Sequence, residues 1–162
     1  MAPQVNKTNL PTESPLHRRV APGDFLDCYK VVSNLTAPEA AEIIVNFPSW
    51  AKALVLLRNI VVAPFGLLND GPGAVQKFGP FPVESMSESS VVAGFDDKHL
   101  DFRVNILSVK GDVYLATWVH PHNIGGRLYL KAIMPFHILI ARNALMRVAT
   151  VDNRDQYDPL PE

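Results

Sequence analysis

Three imidazoles and a carboxylate, His99, Asp101, His120 and His122, fall close together in residues 99–122. Imidazole changes charge near neutral pH and ligates zinc, and a neighbouring carboxylate can orient it or share its proton. Such groups act together only if their chain segments bring them together. Residues 99–107 alternate, with Leu100, Phe102, Val104 and Ile106 facing one way and His99, Asp101, Arg103 and Asn105 the other, the pattern of a half-buried strand. Lys110 and Gly111 make a turn. Beyond it, Val113, Leu115, Thr117 and Val119 alternate with Tyr114, Ala116, Trp118 and His120 on a second strand. A hairpin centred on Lys110–Gly111 sets His99 opposite His122, Asp101 opposite His120, Arg103 opposite Trp118, Phe102 opposite Val119 and Val104 opposite Thr117. The polar face then reads as a zinc or acid–base site, or as an ordinary solvated sheet face. We assign no metal, no cofactor and no catalytic residue from the sequence.

Three further groupings carry chemistry. Asn123, Ile124, Gly125, Gly126 and Arg127 open a helix whose N-terminus, with an arginine and histidines nearby, suits an anion. The same residues also suit a plain Asn123 cap and a tight strand-to-helix turn. Leu100, Phe102, Val104 and Val119, with Thr117, could line a ligand cavity closed by Leu130, Met134, Phe136 and His137, the hydroxyl and imidazole orienting the ligand. Apolar periodicity describes a filled core equally well. Residues 113–151 hold Arg127, Lys131, Arg142 and Arg147 but no Asp or Glu, which fits an anionic membrane surface or basic side chains snorkelling at the rim of a buried helix. The expectation is the second, with no membrane contact. Cys28 reads as a small core residue beside Asp27, which disfavours a thiolate.

The whole chain sets the frame. Its 162 residues are 48% hydrophobic and 19% charged, enough for one domain with a core and too apolar for disorder. Fifteen basic against 16 acidic residues exclude a broad electrostatic nucleic-acid binder. One cysteine excludes an internal disulfide framework and points to a reducing, cytoplasmic setting. No secretory apolar run opens the chain. The run Ala53–Leu57 and Ile60–Ala63 is interrupted at Arg58 and Asn59 and stopped at Pro64, short of the ~20 residues that span a bilayer, so no transmembrane helix is expected.

Of 14 prolines, Pro3, Pro11, Pro15 and Pro22 come early and Pro159 and Pro161 last. Residues 1–22 and 151–162 therefore read as flexible flanks around a single domain at 23–150. Within it, Phe25–Val32 is a strand, and Thr36 with Glu39 forms a capping box opening a helix that runs to Asn46. Pro48 suits the first turn of a second helix with Trp50, Leu54, Leu57 and Val61 on one face, ended by Pro64 and Gly66. Residues 69–73 are turn chemistry, and Val75–Val83, with Pro80 and Pro82, is an edge or irregular strand. Val91–Phe95 is another strand. About five strands result, followed by a helix from Gly125 or Gly126 to Ala149, apolar nearly all round and so largely buried, with a kink or break at Pro135.

The segments FLDCYKV, PSWAKALVLLRN, FPVES, GFDDKHLDFRV, TWVHPHNIGGRLYLKAIMPFH and ILIARNALMRV resemble an uncharacterised bacterial family of unknown function, found alone or fused behind NAD(P)-binding Rossmann modules. The order of elements is similar to the helix-grip fold of START-like (SRPBCC) proteins: an α+β domain with an antiparallel sheet curved around a long C-terminal helix. That resemblance implies a cavity between sheet and helix for an apolar or amphipathic small molecule, sometimes with cyclase or dehydratase chemistry. The expected partner is thus a hydrophobic small molecule, with self-association as a homodimer compatible with it. Two other functions stay open: an enzyme using His99, Asp101, His120 and His122, or an accessory module of an NAD(P)-dependent oxidoreductase.

Overall fold

Strand alternation and one two-residue turn set the middle of the molecule, and everything else is placed against them. The computed structural model describes residues 3–62 and 76–157. In chain order these form β1 (Asn6–Lys7), a 3₁₀ turn (Pro15–Arg18), β2 (Phe25–Val32), α1 (Ala37–Val45), α2 (Ser49–Val62), β3 (Lys77–Phe78), β4 (Phe81–Met86), β5 (Ser90–Asp96), β6 (Leu100–Val109), β7 (Asp112–Pro121) and α3 (Ile124–Tyr157). One antiparallel sheet runs in the order β1-β2-β7-β6-β5-β4-β3. At its centre, Lys110 and Gly111 both take positive φ, 53° and 80°, the turn geometry whose twist matches a hairpin. The β6–β7 register is the one the alternation predicts, Asp101 facing His120 and Val104 facing Thr117. Two short strands, β1 and β3, take the sheet beyond the expected five.

α1 and α3 cover one face. Tyr29, Val31, Val91, Ile106, Val113 and Leu115 of the sheet pack on the alanine-rich faces of both helices, closed by Leu145 and Val148. The Thr36–Glu39 capping box starts α1 as its sequence requires. Its far end has no glycine cap. Instead Arg147 of α3 reaches across and donates to the carbonyls of Ile43, Ile44 and Asn46 at 2.6, 3.2 and 2.6 Å, satisfying acceptors the helix leaves orphaned.

The other face corrects the reading of residues 1–22 as a flexible flank. From residue 3 the chain lies across the sheet: β1 pairs with β2, and Leu16 is fully buried against Cys28, Ala116 and Trp118. The Ser14 hydroxyl donates to Asn105 Oδ1 at 2.7 Å, and the fully buried Asn105 amide donates onward to Ser90 Oγ and the Val91 carbonyl. Composition undervalues this segment because a few apolar side chains, Val5, Leu10 and Leu16, and one satisfied polar network anchor it. The far flank is shortened likewise, since α3 continues to Tyr157, and Asp152 is buried beside the Asn34 amide. Residues 158–162 lie outside the described residues, as do Pro64, Gly66, the 69–73 turn, Val75 and the side chains of Leu57 and Val61. On α2, Leu54 is half-buried and Trp50 exposed.

α3 departs from expectation twice. It passes Pro135 without a break, because Pro135 and Lys131 both lie on the solvent side, where water can take the carbonyl that the proline cannot serve. Nor is it largely buried: Ile124 is 75% exposed, Leu128 63%, Leu139 54% and Phe136 49%. Its stretch Ile124–Asp152 is long and apolar enough to cross a membrane by length and composition, where the sequence reading expected no such helix; core helices of soluble proteins also meet that criterion.

Candidate functional site

At the polar end of the hairpin the backbone does what the pattern requires, and the His120 and His122 rings come within 5.6 Å of each other at a tilt of 58°. His122 N–H donates to the His99 carbonyl at 2.9 Å, so the two residues are neighbours. Yet each imidazole turns to its own partner. His120 Nδ1 lies 2.6 Å from Asp24 Oδ1, and its ring stacks on Trp118, whose indole N–H donates to Asp24 Oδ2 at 2.8 Å. His122 Nε2 lies 3.0 Å from Asp101 Oδ2, and His99 Nδ1 lies 3.2 Å from the Asn123 side-chain nitrogen. Among the described residues, no group of three or more His, Cys, Asp or Glu is arranged to hold a metal ion. Asp24 was invisible to the sequence reading because it sits in the gap between the supposed flank and the first strand.

Asp24 and His122 are electrostatically tuned. Burial pushes the Asp24 carboxyl up, but hydrogen bonds from His120, the Ala21 amide and the Trp118 indole outweigh it and hold the group below its ordinary range. The hydrogen bond to Asp101 raises His122 above its ordinary 6.5. A histidine raised on folding contributes stability that is fully present below 6.5 and is lost as pH rises through the folded value. Asp101→Asn is expected to bring the His122 pKa down toward 6.5 in an NMR titration and to remove that limb of the pH–stability profile. An unmoved titration would show the pair to be a static contact.

The 123–127 junction adopts the cap. Asn123 Oδ1 accepts from the Gly126 amide at 3.0 Å, and Arg127 is exposed. A Cβ on Gly126 would stand 2.2 Å from the His99 carbonyl oxygen, so the glycine lets the helix start against β6.

The face toward α3 holds the stronger arrangement. On β2, Phe25, Asp27, Tyr29 and Val31 share that face, and Asp27 stands opposite Thr117, itself opposite Val104. Asp27 Oδ2 lies 3.0 Å from His137 Nε2 on α3, and the Phe25 ring meets the imidazole edge-on at 6.0 Å. The Asp27 side chain is 4% exposed, and its Oδ1 is buried with no hydrogen-bond partner. Asp101 Oδ1 is likewise unpaired, on a side chain that keeps 24% of its surface. A buried acceptor left unmade costs about 1–3 kcal/mol, so such a group marks either a binding position or a strain reservoir.

Of the proposed cavity residues, Leu100, Thr117 and Val119 are buried, and Phe102, Val104, Leu130, Met134 and His137 are half-buried. Phe102 packs edge-on to Phe81 and Phe95. Phe136 must be removed from the set: it is exposed on the outer side of α3. Asp27 must be added. Its signal was present, an acid on an alternating apolar strand face, but its partner is 110 positions away.

Cys28, on the opposite face under Leu16, is pushed up to about 12, first by burial and then by the Asp27 charge. Native protein is therefore expected to be silent toward a thiol-titrating disulfide reagent at mildly alkaline pH and to react with one equivalent once unfolded. Rapid reaction of the native chain would contradict the packed N-terminal segment.

Fold and site together define an α+β protein whose antiparallel sheet grips a long C-terminal helix, with a carboxylate and an imidazole meeting between them. The chain belongs to the family described as "Protein of unknown function (DUF2867)", whose model matches residues 19–144 and so takes in Asp24, Asp27 and His137. No curated protein and no solved structure matches it.

Proposed function

We propose that this chain binds a small amphipathic molecule between the sheet and α3, its polar end at Asp27 and His137. The observation that carries this reading is the unpaired Asp27 Oδ1, buried on the strand face it shares with Phe25 and Tyr29 and opposite Thr117. A ligand hydroxyl, amide or amine would donate to that oxygen, and its apolar part would lie along Val104, Leu130 and Met134. The resemblance to START-like proteins supports the same location.

Native against denaturing mass spectrometry of freshly purified protein tests it. A non-covalent companion of roughly a few hundred daltons is expected, the size such sites enclose. It should be absent from Asp27→Leu, which keeps the shape of the site and removes the acceptor. A bare wild-type mass, or a companion retained by Asp27→Leu, overturns the reading.

A second reading rests on the same pair. A buried carboxylate fixing an imidazole at 3.0 Å is how a general base is oriented. The acid–base alternative thus moves from the hairpin histidines to His137. Any activity found on the companion molecule or its analogues should then fall far more in His137→Gln than its binding does.

A further inference from the structure

α3 presents two apolar faces, and the fold uses one. Leu145 and Val148 point into the core, whereas Ile124, Leu128, Phe136, Leu139 and Met146 are exposed. Their spacings of four, eight, three and seven keep them on one stripe at 3.6 residues per turn, about 33 Å long at 1.5 Å per residue. Exposed apolar stripes of that length on a soluble protein mark a surface that is covered in use.

Charge indicates what covers it. Arg127, Lys131 and Arg142 are exposed beside the stripe, and from Val113 to Val151 there is no acidic residue to pair with them. Arg147, the other cation of this stretch, is committed to the α1 carbonyls. A second copy laid on the stripe would bring two sets of unmatched cations together, a like-charge contact that an isologous interface repeats on both sides. An anionic lipid surface meets both features, taking the apolar side chains into its interface and the cations at its headgroups.

We infer that the outer face of α3 is a docking surface for an anionic membrane. The helix lies in the plane of the interface and does not cross it, because its inner face is held by the sheet and α1. This turns round the expectation that the basic residues only rim a buried helix, and it does not depend on the ligand at Asp27.

Co-sedimentation of the full chain decides it, with vesicles of phosphatidylcholine alone and of phosphatidylcholine mixed equally with phosphatidylglycerol, at low and high salt. The protein should sediment with the anionic vesicles, and high salt should weaken this. Leu128→Asp with Phe136→Asp, both at exposed positions, should abolish sedimentation while circular dichroism stays unchanged. Arg127→Glu with Lys131→Glu should weaken it at least 25-fold, since each basic residue contributes roughly fivefold. No sedimentation with anionic vesicles, equal sedimentation with neutral ones, or wild-type behaviour of the Leu128/Phe136 variant overturns the inference. So does a concentration-dependent dimer in analytical ultracentrifugation that Leu128→Asp dissolves, which would make the occupant a second copy.

Discussion

Gly94→Ala is expected to destabilise the domain by about 3 kcal/mol or more, enough to remove a large part of the margin a protein of this size has. Gly94 lies on β5 opposite Arg103 with φ at +149°, in the region that side chains rarely adopt. A methyl group there would stand 2.2 Å from the Phe102 carbonyl oxygen and 3.0 Å from both the Cα and the Cδ of Arg103. Backbone cannot yield at that position without parting β5 from β6, and the ladder runs through it. Urea denaturation followed by circular dichroism measures the loss. A midpoint within error of wild type would mean that the strands part locally at little cost.

The same missing side chain gives Arg103 its path, and Arg103→Met is the second large effect. The Arg103 side chain is 9% exposed, with Nε 2.5 Å from Glu84 and a terminal nitrogen 2.8 Å from both Asp96 and the Phe102 carbonyl. The β4 ladder shifts register between Val83 and Ser85, a bulge that turns Glu84 toward Arg103 and Arg19. Breaking a buried pair costs about 3–5 kcal/mol, but Glu84 and Asp96 are 40% and 65% exposed and can rehydrate. Screening reduces the expected loss to about 2 kcal/mol. The variant also carries a pH signature. Burial pushes the Glu84 carboxyl up, yet hydrogen bonding and charge from Arg103 and then Arg19 hold it below its ordinary 4.5. A carboxyl depressed on folding contributes stability that is present above 4.5 and lost as pH falls through the folded value. Stability of Arg103→Met should therefore fall less steeply than wild type below pH 4.5. A parallel acid limb in both proteins would assign the depression to Arg19.

How much of this could be read in advance depended on how far apart the partners are. The hairpin register and the α1 capping box were legible, because a period of two, a two-residue turn and a Thr-x-x-Glu spacing are all local. Leu16 under Trp118 and Ser14 on Asn105 were not, since nothing near residues 14–16 announces a partner 91 positions away. α3 shows a different limit. A helix apolar on all sides states that it meets something apolar, without stating which face meets the sheet, and Phe136, expected inward, is outward. At the site, the apolar pattern points to His137 and Thr117, while Asp27 reads in the sequence only as a neighbour of Cys28. Its own place in the alternation with Phe25, Tyr29 and Val31 was the usable signal.

The strand order also dictates a schedule. β2 lies between β1 and β7, yet it is synthesised long before β7, the partner along its whole length. Until residues 112–121 have left the ribosome, the stretch FLDCYKVV has only the two-residue β1 to pair with, and its long edge toward β7 stays open. The β3–β7 meander, by contrast, pairs each strand with its immediate successor and can assemble as it emerges. Newborn chains that stall before β7 would therefore carry an aggregation-prone strand open along its β7 edge near their N-terminus, and that interval is where a chaperone would be needed most.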